Sequence, residues 1–168
     1  MQYIRSLLFY FFYIAALVPH ALICIIIGGL LPIKARYNYF LLWNAFILWW
    51  LKLSCNIKYQ INGLQNIPSE PFVLLSNHQS PWETLFYYWT FRPICATLKK
   101  ELLLIPFFGW ALKLLHPIAI DRSKKGRALQ QVLDQGKEKM DNGISVLIFP
   151  EGTRVAPGIE KKYSAGGV

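Results

Sequence analysis

The chain has 168 residues, enough for one domain with a modest core. It is 54% hydrophobic and 15% aromatic, rich for a small soluble protein, and its 18 basic and 9 acidic residues give a formal net charge of +9. Three cysteines (Cys24, Cys55 and Cys95) form no CxxC pair, so neither a disulfide framework nor a zinc site is suggested, and a reducing compartment fits.

The charge is unevenly placed. Before Glu70 there are five basic residues (Arg5, Lys34, Arg36, Lys52 and Lys58) and no acidic ones. Such a surface favours anionic lipid or another phosphate-bearing partner. Nucleic acid is the rival, but the chain carries no RNA- or DNA-binding signature, and none is expected as a partner.

From Ser6 to Ile33 no residue bears a formal charge. A straight helix of that length exceeds the roughly 30 Å hydrocarbon core of a bilayer. The spacing predicts a membrane helix that Pro19 and the Gly28-Gly29 pair break or tilt. It is too long for the apolar part of a signal peptide, and no cleavage-like site follows it. His20 has no charged neighbour there and reads as structural. A second apolar stretch, Tyr37 to Leu51, holds Trp43, Trp49 and Trp50. Tryptophan prefers the membrane–water boundary, so this stretch lies in the interface or closes a helical hairpin with the first. Lys34, Arg36 and Lys52 flank the two, which places the following domain in the cytoplasm. Residues 1–54 are therefore expected to be a membrane anchor and 55–168 an α/β domain.

From Asn56 the texture changes. "NIKYQING" alternates and ends in the turn signal Asn62-Gly63. "PFVLLS" is a continuous apolar run, the mark of a strand buried on both faces. "ICATL", "PIAI" and "ISVLIFP" are further strands. "IPFFGWALKLL" reads as a helix with a proline start. Another helix covers about Lys124 to Asp141, with Leu129, Val132, Leu133 and Met140 at helical spacing and Gly143 just beyond its end. Strands alternating with helices predict a mostly parallel sheet flanked by helices. Active residues gather at the carboxyl ends of such strands. "NHQSPWE" (77–83), "IDR" (120–122) and "FPEGTR" (149–154) all fall there.

In "NHQSPWE" two readings coexist. Ser80-Pro81-Trp82-Glu83 is a capping box, with Ser80 at N-cap, Pro81 at N1 and Glu83 at N3. His78 and Glu83 also make an acid/base pair, in which one carboxylate oxygen holds Nδ1–H and the other accepts from the Ser80 N–H. No G-x-S-x-G elbow supplies a protein nucleophile, so such a base would activate a substrate hydroxyl or a water. In "FPEGTR", Gly152 lets backbone N–H groups approach an anion, and Arg154 can grip a phosphate through two parallel hydrogen bonds. Alone, this stretch reads as a surface turn with a solvated arginine. Asp121-Arg122 alone reads as a local charge pair.

Taken together these blocks resemble the 1-acylglycerol-3-phosphate O-acyltransferase family, over roughly residues 56–168. "NHQSPWE" is similar to its H-x₄-D/E block, "LKKEL" (98–102) with "IPFFGW" (105–110) to the block behind it, and "IAIDR" and "FPEGTR" to the next two. The resemblance implies that His78 takes the proton from the acceptor hydroxyl and that Glu83, where many members have aspartate, orients and charges the imidazole. It places Glu151, Gly152, Thr153 and Arg154 in the acceptor-binding block, with Arg154 on the phosphate and Lys99 and Arg122 adding positive charge. It implies direct transfer from an acyl thioester (acyl-CoA or acyl carrier protein) to lysophosphatidic acid, giving phosphatidic acid among membrane lipids, with no metal or bound cofactor. The family pattern runs on past Val168, so the resemblance also implies an incomplete sheet, an open apolar edge and weak or no activity of residues 1–168 alone. Other readings are transfer to a different lysophospholipid or glycolipid, and a non-catalytic basic module that binds lipid or nucleic acid.

Overall fold

The uncharged front segment forms a single helix, α1 (Gln2–Gly28), which runs through Pro19 without ending there. The computed structural model describes residues 2–120 and 125–163. The predicted break at Pro19 is thus corrected. The helix stops at the glycine pair instead, and Gly28 packs closely against its neighbours. A Cβ there would lie 2.7 Å from Leu114 Cδ1 and 2.8 Å from Phe40 Cζ. Among the described residues α1 is the one helix long and apolar enough to cross a membrane, by length and composition. Little of it is covered: Ile4, Leu7, Phe11 and Ile26 are all exposed.

After a short turn come α2 (Ile33–Phe40) and α3 (Leu42–Cys55). The second apolar stretch folds back as a hairpin arm. Trp43 meets Tyr13 and Trp50 meets Phe12, each with ring centroids 4.8 Å apart in edge-to-face geometry. His20 donates from Nε2 to the Phe40 carbonyl at 3.0 Å and stacks on Tyr39, tying α1 to the end of α2.

The α/β part holds β1 (Val73–Leu75), α4 (Pro81–Thr90), β2 (Ile94–Lys99), α5 (Phe108–Lys113), β3 (Ile118–Ile120), α6 (Lys125–Asp141) and β4 (Ser145–Ile148). The strands form one parallel sheet in the order β1-β4-β2-β3. The central strand β4 is buried along its whole length. Leu147, Ile94 and Ile118 are fully buried, each worth about 1.5–3 kcal/mol of apolar transfer. The same core takes in Cys24, Tyr37, Phe40 and Leu41, so the front helices and the sheet share it. The buried Tyr37 hydroxyl donates to the Leu115 carbonyl at 3.0 Å.

Three local expectations change. Asn56 to Gly63 forms no strand, and its turn leads into a short 3-10 helix at Leu64–Asn66. Among the described residues β1 is an edge strand, paired with β4 alone, and the face that carries Val73 and Leu75 is exposed, so it is not buried on both faces. "IPFFGWALKLL" becomes α5 preceded by a 3-10 turn at Lys100–Leu104. Gly109 fixes that break, since a Cβ there would sit 2.4 Å from the Leu102 carbonyl oxygen. In α6, Val132 is buried while Leu129 and Leu133 stay exposed, and Gly143 takes the left-handed conformation expected after a helix end.

Candidate active site

Because all four strands run the same way, their carboxyl ends share one edge of the sheet. β1 delivers "NHQSPWE" to that edge, and β4, beside it, delivers "FPEGTR". β2 ends there with Lys99, which is exposed. β3 ends at Ile120, and Asp121 and Arg122 lie outside the described residues.

Ser80 caps α4 as its sequence predicts. Its Oγ accepts from the Trp82 N–H at 3.1 Å, and Pro81 occupies N1. Both oxygens of Glu83 accept from the Ser80 N–H, at 3.1 and 2.9 Å. The same carboxylate faces the histidine: His78 Nδ1 lies 3.6 Å from Glu83 Oε2. That distance is longer than a formed hydrogen bond, and Nδ1 is buried with no nearer partner. Contacts of this kind tighten when a reacting complex forms. One carboxylate therefore serves the helix cap and the ring together.

The other side of His78 is held by the loop after β4. Phe149 stacks on the imidazole at 4.0 Å and 19°. The His78 N–H donates to Glu151 Oε2 at 2.6 Å, and Asn77 Nδ2 donates to Oε1 at 2.9 Å. The Val155 N–H donates to the His78 carbonyl at 2.7 Å. Gly152 takes a left-handed φ of 67°, and its N–H donates to the Phe149 carbonyl at 2.9 Å, closing the turn. Thr153 and Arg154 are exposed at the rim. Ser76 shares a 2.8 Å hydrogen bond with Tyr87 on α4.

Burial holds the His78 pKa below the ordinary histidine value. Glu83 pulls it upward, Arg154 pushes it down, and Glu151 pulls it up again. The ring is thus neutral near pH 7 and able to accept a proton. Glu151 titrates below the usual carboxylate range, chiefly because the His78 N–H and then the Asn77 amide bind its charged form.

The structure brings His78, Glu83, Glu151, Gly152, Thr153 and Arg154 to one place and puts Lys99 on the same sheet edge. Sequence reasoning gave no role to Asn77, Phe149 or the Val155 N–H. Asn77 and Phe149 stood inside the quoted blocks. Their signal was the need of a buried carboxylate and a bare imidazole for partners.

Residues 58–166 match the family model described as Acyltransferase. The chain is 46% identical over 168 residues to the 1-acyl-sn-glycerol-3-phosphate acyltransferase of Pseudomonas aeruginosa, covering 99% of this chain and 65% of that relative. It is 34% identical over 106 residues to the enzyme of the same name in Saccharomyces cerevisiae, covering 62% of this chain and 35% of that protein. It thus spans about two thirds or less of the length of these curated relatives. The crystal structure of the 1-acyl-sn-glycerophosphate (LPA) acyltransferase PlsC from Thermotoga maritima is similar in fold, with a TM-score of 0.73 at 23% identity, covering 99% of this chain and 67% of that one.

Proposed function

The chain belongs to the acyltransferase family, and from that premise we propose that it moves a fatty acyl group from an acyl thioester to the free 2-hydroxyl of 1-acylglycerol 3-phosphate. The observation that carries this reading is the state of His78. Its ring is pinned between Phe149 and the Glu83 carboxylate, with Nδ1 turned to the carboxylate. No serine or cysteine side chain among the described residues hydrogen-bonds the ring, which fits a base that works on the substrate's own hydroxyl.

Nδ1–H points to Glu83, which leaves Nε2 with its lone pair. Nε2 takes the acceptor hydroxyl proton as the oxygen bonds to the thioester carbonyl carbon. Glu83 stabilises the imidazolium that forms. When the tetrahedral intermediate collapses, the C–S bond breaks and the thiolate takes the proton back from Nε2. The product is phosphatidic acid. Arg154 grips the acceptor phosphate, with Lys99 on the same sheet edge adding charge.

The exposed apolar surface of α1 supports a membrane location, next to a lipid acceptor. Lys34, Arg36 and Lys52 support a cytoplasmic face for the sheet. The donor is acyl-CoA or acyl carrier protein. The test uses membranes containing the protein, each donor in turn, and three acceptors: 1-acylglycerol 3-phosphate, lysophosphatidylcholine and monoacylglycerol. Preference for the phosphomonoester supports the proposal. Equal use of monoacylglycerol contradicts it.

A further inference from the structure

Glu151 faces the protein interior and not the solvent. Its side chain is 6% exposed, and both oxygens are taken by protein donors. It is also an anion at neutral pH, and an anion repels a phosphomonoester. Its place in the block expected to bind the acceptor therefore needs another explanation.

The residues around His78 supply one. Gln79, Asn77 and His78 lie between β1 and α4 in a segment without regular secondary structure. Nothing in a helix or strand ladder fixes the histidine there. The loop after β4 fixes it instead at three points. Glu151 takes its N–H, the Val155 N–H takes its carbonyl, and Phe149 backs its ring. The Asn77 side chain, on the second oxygen of Glu151, locks the residue before it.

We infer that Glu151 is a positioning residue for His78 and not a ligand of the acceptor: its carboxylate holds the 77–78 backbone so that the ring stands against Phe149 with Nδ1 toward Glu83. This rests on the reading of His78 as the base. Glu151 thereby joins the two halves of the site. Arg154, three residues on, grips the phosphate, and Glu151 sets the histidine from the same loop. Loss of the clamp lowers turnover and leaves acceptor affinity nearly alone, because misplacing a base by about 1 Å costs on the order of 10²-fold.

The test uses the full chain in lipid nanodiscs and the variant Glu151→Gln. Glutamine keeps the volume and loses the charge: with the Asn77 amide turned over to accept its NH₂ group, its one neutral oxygen still meets the His78 N–H, in a weaker bond than the carboxylate makes. Three quantities are read: hydrogen exchange at the His78 amide, kcat and KM for 1-acylglycerol 3-phosphate, and the acid limb of kcat/KM. The charges facing His78 are Glu83 from α4 and Glu151 and Arg154 from the loop after β4. Removing the negative charge of Glu151 lowers the histidine pKa further, so the acid limb moves to lower pH. The expected result is faster exchange at His78, kcat lower by about 10²-fold, KM near the wild-type value and a limb shifted down. Asn77→Ala, which frees one oxygen of Glu151 and keeps its charge and its bond to His78, gives smaller changes in exchange and kcat and leaves the acid limb in place. A raised KM with unchanged kcat and unchanged exchange would make Glu151 a substrate ligand and overturn the inference. If the wild-type chain transfers no acyl group to any acceptor, the kinetic readings drop out. The exchange rate in Glu151→Gln then still decides the clamp, faster exchange upholding it and unchanged exchange refuting it.

Discussion

At the start of α4, Glu83 divides its carboxylate between the Ser80 N–H, at 3.1 and 2.9 Å, and the His78 ring, at 3.6 Å. In the loop after β4, Glu151 gives one oxygen to the Asn77 side chain and the other to the His78 N–H. Both residues are glutamates and both face the same histidine. Glu83 meets the ring that titrates, whereas Glu151 meets the backbone that carries it. Glu83 therefore acts on protonation and Glu151 on position. The contrast shows that a carboxylate's role follows from which atom of its partner it meets.

The largest expected effect comes from removing what both carboxylates face. His78→Ala should lower acyl transfer by about 10²–10⁴-fold, the usual worth of a general base. Helical content and membrane retention should stay as in the wild type. Assay of equal amounts of folded protein checks this, and near-normal turnover would remove the histidine from the chemistry.

A smaller effect separates the two duties of Glu83. Glutamine also serves at the third helical position, so Glu83→Gln keeps the cap. Turnover should still fall by more than about tenfold, though by less than with the base removed. Ser80→Ala is the complement. It removes the hydroxyl cap, costs about 1 kcal/mol of stability in thermal unfolding and leaves turnover largely intact. Equal activity of Glu83→Gln and wild type would reduce Glu83 to a cap.

The smallest effect lies at the rim, beyond both carboxylates. Arg154→Lys keeps the charge and loses the two-pronged grip. KM for 1-acylglycerol 3-phosphate should rise more than KM for the acyl donor. Equal rises in initial-rate measurements would show that Arg154 is no dedicated phosphate ligand.

Much of this arrangement is written in local pattern. The parallel sheet is legible because "ICATL", "PIAI" and "SVLI" are short apolar runs separated by helical spacing, and such runs bury only in a covered sheet. The capping box at Ser80 and Glu83 is legible because a cap depends on neighbours three residues apart. Features set by distant partners were not. Whether "FVLL" became a central or an edge strand depended on β4, some 70 residues later, taking one side of it. Pro19 did not stop α1, since a proline inside a helix removes one backbone hydrogen bond while the turns on either side keep theirs. The bonds of Glu151 to Asn77 and His78 join segments 73 and 74 residues apart, and nothing in the spacing of either block announces them.

The central claim is that a half-buried, neutral His78 accepts the proton, with its charged form favoured by Glu83. The pH dependence of kcat/KM for acyl transfer, compared between wild type and Glu83→Gln, tests it most directly. Burial lowers the histidine pKa and Glu83 raises it. Activity needs the neutral ring, so it is lost as pH falls through that pKa. The account predicts a wild-type acid limb below about 6.5, moving lower still in Glu83→Gln. A limb at or above about 6.5, or one that stays in place when Glu83 becomes glutamine, would contradict it.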